Sequence, residues 1–487
     1  MKTGRSVCPA SVEAEHPGEE CGVFGIYSDG SADPAYAAYN GLLALQHRGQ
    51  ESCGIAVNDR GVISYSKGMG LVTEVFSHET LDRLKGQMAV GHVRYSTSGA
   101  SVRENAQPLV MRYVKGTLAI AHNGNLTNAH ELHELLARQG CIFQTTIDTE
   151  VIAYMIARER IQAPSIEESV RRAMPKIHGA YSLVVMSPQK LIAVRDPHGF
   201  RPLCIGRLKN SWVFASETCA LDACGARFVR DVRPGEIVVA GPGGLRSLQG
   251  PVSARKSLCV FEYIYFARTD SIIDGISVYE ARKRAGRLLA KQSPVAADMV
   301  IGVPESGIDA AIGYSEESGI PFQKGIVKNA YIGRTFIKPS QSERERSVRI
   351  KLNALSTAVR GKRVVLLDDS VVRGTTSARI VSMLKESGAR EVHLRISSPP
   401  FLWPCYYGTD IPSKDELIAC RYSVAEIGRM SFADSIDFLR LENLPKMLGK
   451  GCGGYCDACF SGNYPAEVPD PAAAGDERDY CQPIQRL

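Results

Sequence analysis

The apolar positions of this chain fall into short runs separated by loops of glycine, serine and charged residues. Val364 to Leu367 is wholly apolar and opens with two β-branched residues, the pattern of a parallel strand covered on both faces. Asp368 and Asp369 close it, and a loop carrying Gly374, Thr375 and Thr376 follows. Ser377 to Ser387 then has helical periodicity through Ile380, Met383 and Leu384, with Gly388 where a C-terminal cap belongs. Met299 to Val303 is a second apolar run, leading into Pro304-Glu305-Ser306-Gly307, and Val278 to Lys291 reads as a basic helix. Strands and helices alternate from here to about residue 397, which predicts a parallel sheet. Earlier in the chain, Cys21 to Tyr27 reads as a strand and Ala37 to Gln46 as a helix of small residues. Gly241 to Pro251 reads as a loop, and Phe261 to Arg268 as an aromatic-rich strand and turn.

Composition bounds the class. At 487 residues, with 44% hydrophobic and 23% charged positions, the chain is an ordinary globular protein. A prior of about 150 residues per domain suggests two or three domains. The net charge of +6 is too mild to argue for nucleic acid or a membrane surface, and suits a locally basic site for an anionic substrate. No apolar run is long enough to span a bilayer. The 14 cysteines follow no small-scaffold spacing, so thiols and metal ligands are favoured over disulfides. Residues 1–20 lack an apolar signal core and read as a polar leader; 468–478 read as a loose tail.

The run Asp368-Asp369-Ser370-Val371-Val372-Arg373-Gly374-Thr375-Thr376 carries the first chemistry. Backbone N–H groups at a helix start, beside threonine hydroxyls, suit a phosphate. Carboxylates at the same strand end suit sugar hydroxyls or a magnesium ion. The run resembles the phosphoribosyl-pyrophosphate (PRPP) loop of type I phosphoribosyltransferases. The resemblance implies substrate contacts from Arg373, Gly374, Thr375 and Thr376, and a Mg²⁺ site at Ser306, Asp368 and Asp369. The basic stretch from Lys324 to Arg349, with Tyr331 to Ile337 inside it, resembles the flap that closes over pyrophosphate in this class.

The first half carries a second set of motifs: Cys21-Gly22-Val23-Phe24-Gly25, His47-Arg48-Gly49-Gln50-Glu51-Ser52, Gly91-His92-Val93-Arg94-Tyr95, Ala121-His122-Asn123-Gly124-Asn125, Asp148-Thr149-Glu150, and Arg195-Asp196-Pro197-His198. Together they resemble the class II glutamine amidotransferase domain, an N-terminal-nucleophile hydrolase. This implies a four-layer αββα sandwich with Cys21 as nucleophile. It implies an oxyanion hole from Asn123 and the Gly124 N–H, with Arg94 on the glutamine carboxylate and Asp148 on its ammonium. In that family the cysteine is the mature N-terminus, so its own α-amine, of reference pKa about 7.7–8.0, serves as base to a thiol near 8.5. The leader is then expected to be removed between Glu20 and Cys21. His47 and Arg48 are expected near the thiol, with no assigned step.

Cys456-Asp457-Ala458-Cys459 alone could be redox-active, a zinc site or coincidence. With Cys259 and Cys405 it matches the iron–sulfur branch of a family that both halves resemble, the amidophosphoribosyltransferases. That resemblance implies a structural [4Fe–4S] cluster, with Cys₄ zinc as the rival. It further implies a cytoplasmic homotetramer acting on glutamine and PRPP and answering to purine nucleotides. The layout expected is a leader (1–20), a glutaminase domain (21–255), a type I phosphoribosyltransferase domain with a parallel sheet (256–445), and a cluster-binding segment and tail (446–487). Two rivals are a glutamine–fructose-6-phosphate transamidase, which has no place for Asp368 to Thr376, and a non-catalytic PRPP sensor, which would not need Cys21, Arg94, Asn123 and Asp148 together.

Overall fold

The computed structural model describes residues 20–95, 99–329, 352–411, 413–449 and 453–469. Its first half is two antiparallel sheets face to face. The seven-stranded sheet has Gly22–Tyr27 and Met88–Arg94 side by side near its centre. The six-stranded sheet is built around Gly116–Leu126 and Gly179–Met186. Side-chain alternation sorts the core into layers. Val23, Ala56, Val90, Ala121, Val184 and Val238 meet between the sheets. Phe24 and Ile26, of opposite parity to Val23, pack outward with Leu42 of the helix Pro34–Ala44. On the far side, Ile152 and Ile156 of the helix Asp148–Gln162 cover Ile120 and Leu183. The result is helix, sheet, sheet, helix, as the resemblance implied.

The second half carries the parallel sheet. Met299–Gly302, Arg363–Asp368, Glu391–Ile396 and Ser435–Phe438 lie side by side in chain order, all parallel. Val365 and Leu367 face one core, with the helix Val278–Gln292, while Val364 and Leu366 face another, with Ile380. The strand is therefore buried on both faces, as its unbroken apolar run requires. Among the described residues no helix is long and apolar enough to cross a membrane.

Three local expectations are corrected. Phe261 to Arg268 is no strand: Glu262–Phe266 is a turn of π-helix. Glu262, Tyr263, Ile264 and Phe266 are all buried, so no period-two alternation exists to support a strand, and core packing overrides aromatic β-propensity. Gly241 to Pro251 is mostly strand: Glu236–Gly241 pairs with Gly244–Gln249 across a tight Pro242-Gly243 turn. The second arm is an edge with largely exposed residues, so it lacks a hydrophobic signature. The small-residue helix runs Pro34–Ala44, entered through an Asp33 side-chain cap that the apolar pattern alone misses.

Candidate active site

Cys21 lies just before the central strand Gly22–Tyr27 and is almost fully buried. Its thiol points to the Tyr95 carbonyl at 3.5 Å. Burial pushes the thiol up to about 11, opposed first by the Arg94 charge; Glu51 and Asp148 also act on it. Arg94, which ends the neighbouring strand, is buried and pairs with Glu51 at 2.5 Å. Glu51 was not singled out in the sequence, because its role depends on the register that sets Ser52 opposite Arg94.

Asn123 and Gly124 sit inside the strand Gly116–Leu126 rather than in a turn. The Asn123 Nδ2 is buried with no hydrogen-bond partner among the described residues. Gly124 has φ +145°, and a Cβ there would stand 2.1 Å from the Ala180 carbonyl oxygen, so only glycine fits. Asp148 is the first residue of its helix, where the dipole favours a carboxylate. Its Oδ2 accepts the Leu126 N–H at 3.0 Å, and Oδ1 lies 3.2 Å from His122 Nδ1. Burial pushes the carboxyl up, but His122 and the backbone N–H groups outweigh it and hold it below the usual range. His122, quoted in its motif but given no role, thus orients Asp148.

The second constellation forms where the parallel strands end. Asp368 and Asp369 are buried side by side, and the Oδ2 of each lacks a partner among the described residues. Burial and the Asp369 charge push the Asp368 carboxyl well up. Two adjacent buried carboxylates with free oxygens need hydroxyl donors or a cation. Gly374, at φ +83°, precedes the helix Thr375–Glu386, so Thr375 and Thr376 open its first turn. Arg373 is held by Glu416 at 2.5 Å. Ser306 lies in the loop that follows Met299–Gly302; that loop lies against the Asp368 strand, with Val303 donating to the Leu367 carbonyl at 2.9 Å. Of the expected flap, Tyr331 to Arg349 lies outside the described residues; Lys328 ends a short strand, Ile326–Lys328.

The two constellations share a neighbour. Burial pushes the Tyr265 phenol up, and the charges of Asp369, Asp368 and Tyr95 add to the effect.

The four cysteines also converge. Leu258–Cys259 and Tyr455–Cys456 pair as parallel strands that set Cys259 opposite Cys456. Cys459 feels the charges of Cys259, Cys405 and Cys456. Burial pushes the Cys456 thiol up to about 12, so thiolates here need a compensating cation, which suits a metal or cluster. Among the described residues no three Cys, His, Asp or Glu side chains stand close enough to hold a single metal ion as they are. Cys452 lies outside the described residues.

Residues 92–223 match the model of the glutamine amidotransferase domain, and the Cys21 thiol before them feels the charges of Arg94 and Asp148, which makes the first half a glutamine amidotransferase. An amidophosphoribosyltransferase from Archaeoglobus fulgidus is 51% identical over 452 residues, covering 92% of this chain and 98% of that one. One from Bacillus subtilis is 49% identical over 456 residues, covering 92% and 95%. The solved structure of the B. subtilis glutamine PRPP amidotransferase, complexed with ADP and GMP, superposes with a TM-score of 0.86 at 48% identity, covering 93% of this chain and 98% of that one. The chain belongs to the amidophosphoribosyltransferase family. Its reaction is the first step of purine biosynthesis, the glutamine-dependent conversion of PRPP to 5-phosphoribosylamine, glutamate and pyrophosphate.

Proposed function

We propose that the two constellations divide this reaction between them. The observation that carries the reading is that buried polar atoms without partners among the described residues, Asn123 Nδ2 in one half and Asp368 Oδ2 and Asp369 Oδ2 in the other, occur where each half needs to grip a reactant. In the first half the Cys21 sulfur attacks the glutamine amide carbon, the C–N bond breaks, and ammonia leaves with the thiol proton. Water then hydrolyses the thioester to glutamate. Arg94 holds the substrate carboxylate as a charge-assisted fork and Asp148 its ammonium. Asn123 Nδ2 and the Gly124 N–H hold the oxyanion, each such donor being worth about 10²–10³ in rate.

In the second half the ammonia nitrogen bonds to C1 of the ribose as the C1–O bond to pyrophosphate breaks and the leaving group takes the electron pair; the nitrogen then loses one proton to water, leaving the neutral amine. Arg373 to Thr376 hold phosphate. Asp368, Asp369 and Ser306 hold the ribose hydroxyls and Mg²⁺, which when bound neutralises the charge on the departing pyrophosphate. Ammonia is protonated in water, so the passage between the halves must be dry.

Cys259, Cys405, Cys456 and Cys459 hold a [4Fe–4S] cluster with a structural role; it pins the segment around Cys405 and supplies no redox step. The leader 1–20 is removed to expose the Cys21 amine. Purine nucleotides, such as the ADP and GMP bound by the B. subtilis relative, act as effectors of a cytoplasmic homotetramer. The deciding assay is glutamate release from glutamine with and without PRPP. PRPP-dependent release supports the transferase reading; none in either condition, from correctly processed protein, favours a sensor.

A further inference from the structure

The residue before Cys21 is built into the fold. Glu20 has no exposed surface. Its Oε1 accepts from Arg201 Nη1 and, at 3.0 Å, from Thr409 Oγ1; its Oε2 accepts from Arg48 Nη2 at 3.3 Å. Arg48 Nε donates to the Cys21 carbonyl at 3.0 Å. One guanidinium therefore grips the chain on both sides of the Glu20–Cys21 bond. It is itself fixed by Glu262, at 2.7 and 2.9 Å, and by Glu217 at 2.5 Å.

This cage is assembled from distant stretches. Arg48 and Arg201 belong to the sandwich, Glu262 to the π-helical turn at the junction, and Thr409 to the segment that follows Cys405. Burying a carboxylate is costly unless it is paired, so Glu20 occupies this position only when those stretches are already packed. A merely solvated leader would leave its last side chain in water.

We propose that Glu20 and Arg48 position the Glu20–Cys21 peptide for the hydrolysis that removes the leader, and that Thr409 and Glu262 complete the cage so that the leader leaves only from a chain whose two halves have docked. The proposal rests on the reading of Cys21 as the mature N-terminus. The step is a plain hydrolysis: the C–N bond breaks, the Glu20 carbonyl carbon gains the hydroxyl of water, and the Cys21 nitrogen gains its proton. Glu20 departs with the leader, so it acts on maturation alone. Arg48 keeps its bond to the Cys21 carbonyl and orients the new N-terminus.

The test is leader removal in the full chain, followed by intact mass at intervals after synthesis, with ammonia-fed pyrophosphate release from PRPP as the readout of folding. Glu20→Leu should be processed at least about tenfold more slowly, the effect of losing charge-assisted hydrogen bonds, and Glu20→Gln should fall between it and the wild type. Thr409→Val should be slowed several-fold, with Thr409→Ser restoring the rate. If Glu20→Leu loses ammonia-fed activity, the Thr409→Val and Thr409→Ser pair decides. Variants that keep pace with a processed wild type overturn this inference alone. Active wild-type enzyme still carrying residues 1–20 overturns the maturation reading itself.

Discussion

Gly408 rests on Gly124. A Cβ added to Gly408 would stand 3.0 Å from the Gly124 carbonyl carbon and 3.1 Å from Arg201 Nη2, and its φ of +105° already excludes most side chains. Asn125 donates to the neighbouring Tyr406 carbonyl at 3.1 Å. The segment after Cys405 thus packs directly against the strand that carries Asn123 and Gly124.

Gly408→Ala must push on Gly124. Glutamine-fed activity should fall by about tenfold or more, as a misplacement of under an ångström at an oxyanion donor does. Ammonia-fed activity should stay within about twofold. Equal losses in both assays would mean that the contact supports the whole fold rather than the glutaminase site.

Asn123→Ala removes a buried amide N–H that has no other partner among the described residues. Glutaminase kcat should drop by about 10²–10³, with little change in thermal stability because no intramolecular bond is lost. Differential scanning fluorimetry beside steady-state kinetics checks both halves of the statement.

Asp368→Asn relieves two adjacent buried carboxylates. In the absence of ligand the melting temperature should hold or rise by about 1 °C, the worth of about 1 kcal/mol in a chain this size. PRPP-dependent synthesis should fall steeply. A lower melting temperature with activity kept would show the pair to be structural.

The Cys21 thiol, held near 11 by burial, is protonated through the neutral range in the leader-bearing chain. A raised thiol pKa means that alkylation tracks a scarce thiolate. The rate at Cys21 should climb about tenfold per pH unit between pH 7 and 9.5 without a plateau. In the processed chain the free amine draws the thiol proton, and the reaction should level off at lower pH. Peptide mapping after timed iodoacetamide treatment reads the site directly.

Much of this was visible in the residues themselves. Cys21 and Asp368 to Thr376 sit in local runs whose pattern encodes a strand start, a strand end and a helix start, whereas Arg94, Asn123 and Asp148 were found only through the resemblance of their motifs to a known family. Glu51, His122 and Glu20 could not be assigned the same way. Each acts through a partner 26 to 181 positions distant, such as Asp148 for His122 and Arg201 for Glu20, which only sheet register and packing bring together. The aromatic turn at Glu262–Phe266 was misread because its burial is nearly all-round, and strand periodicity is legible only where one face meets water.

Pyrophosphate release from PRPP by the Cys21→Ala variant, measured once with glutamine and once with ammonium as nitrogen source, tests the division of labour most directly. The account predicts that the glutamine-fed signal disappears while the ammonium-fed signal stays near that of the wild type. Glutamine-fed release that survives the substitution would contradict it.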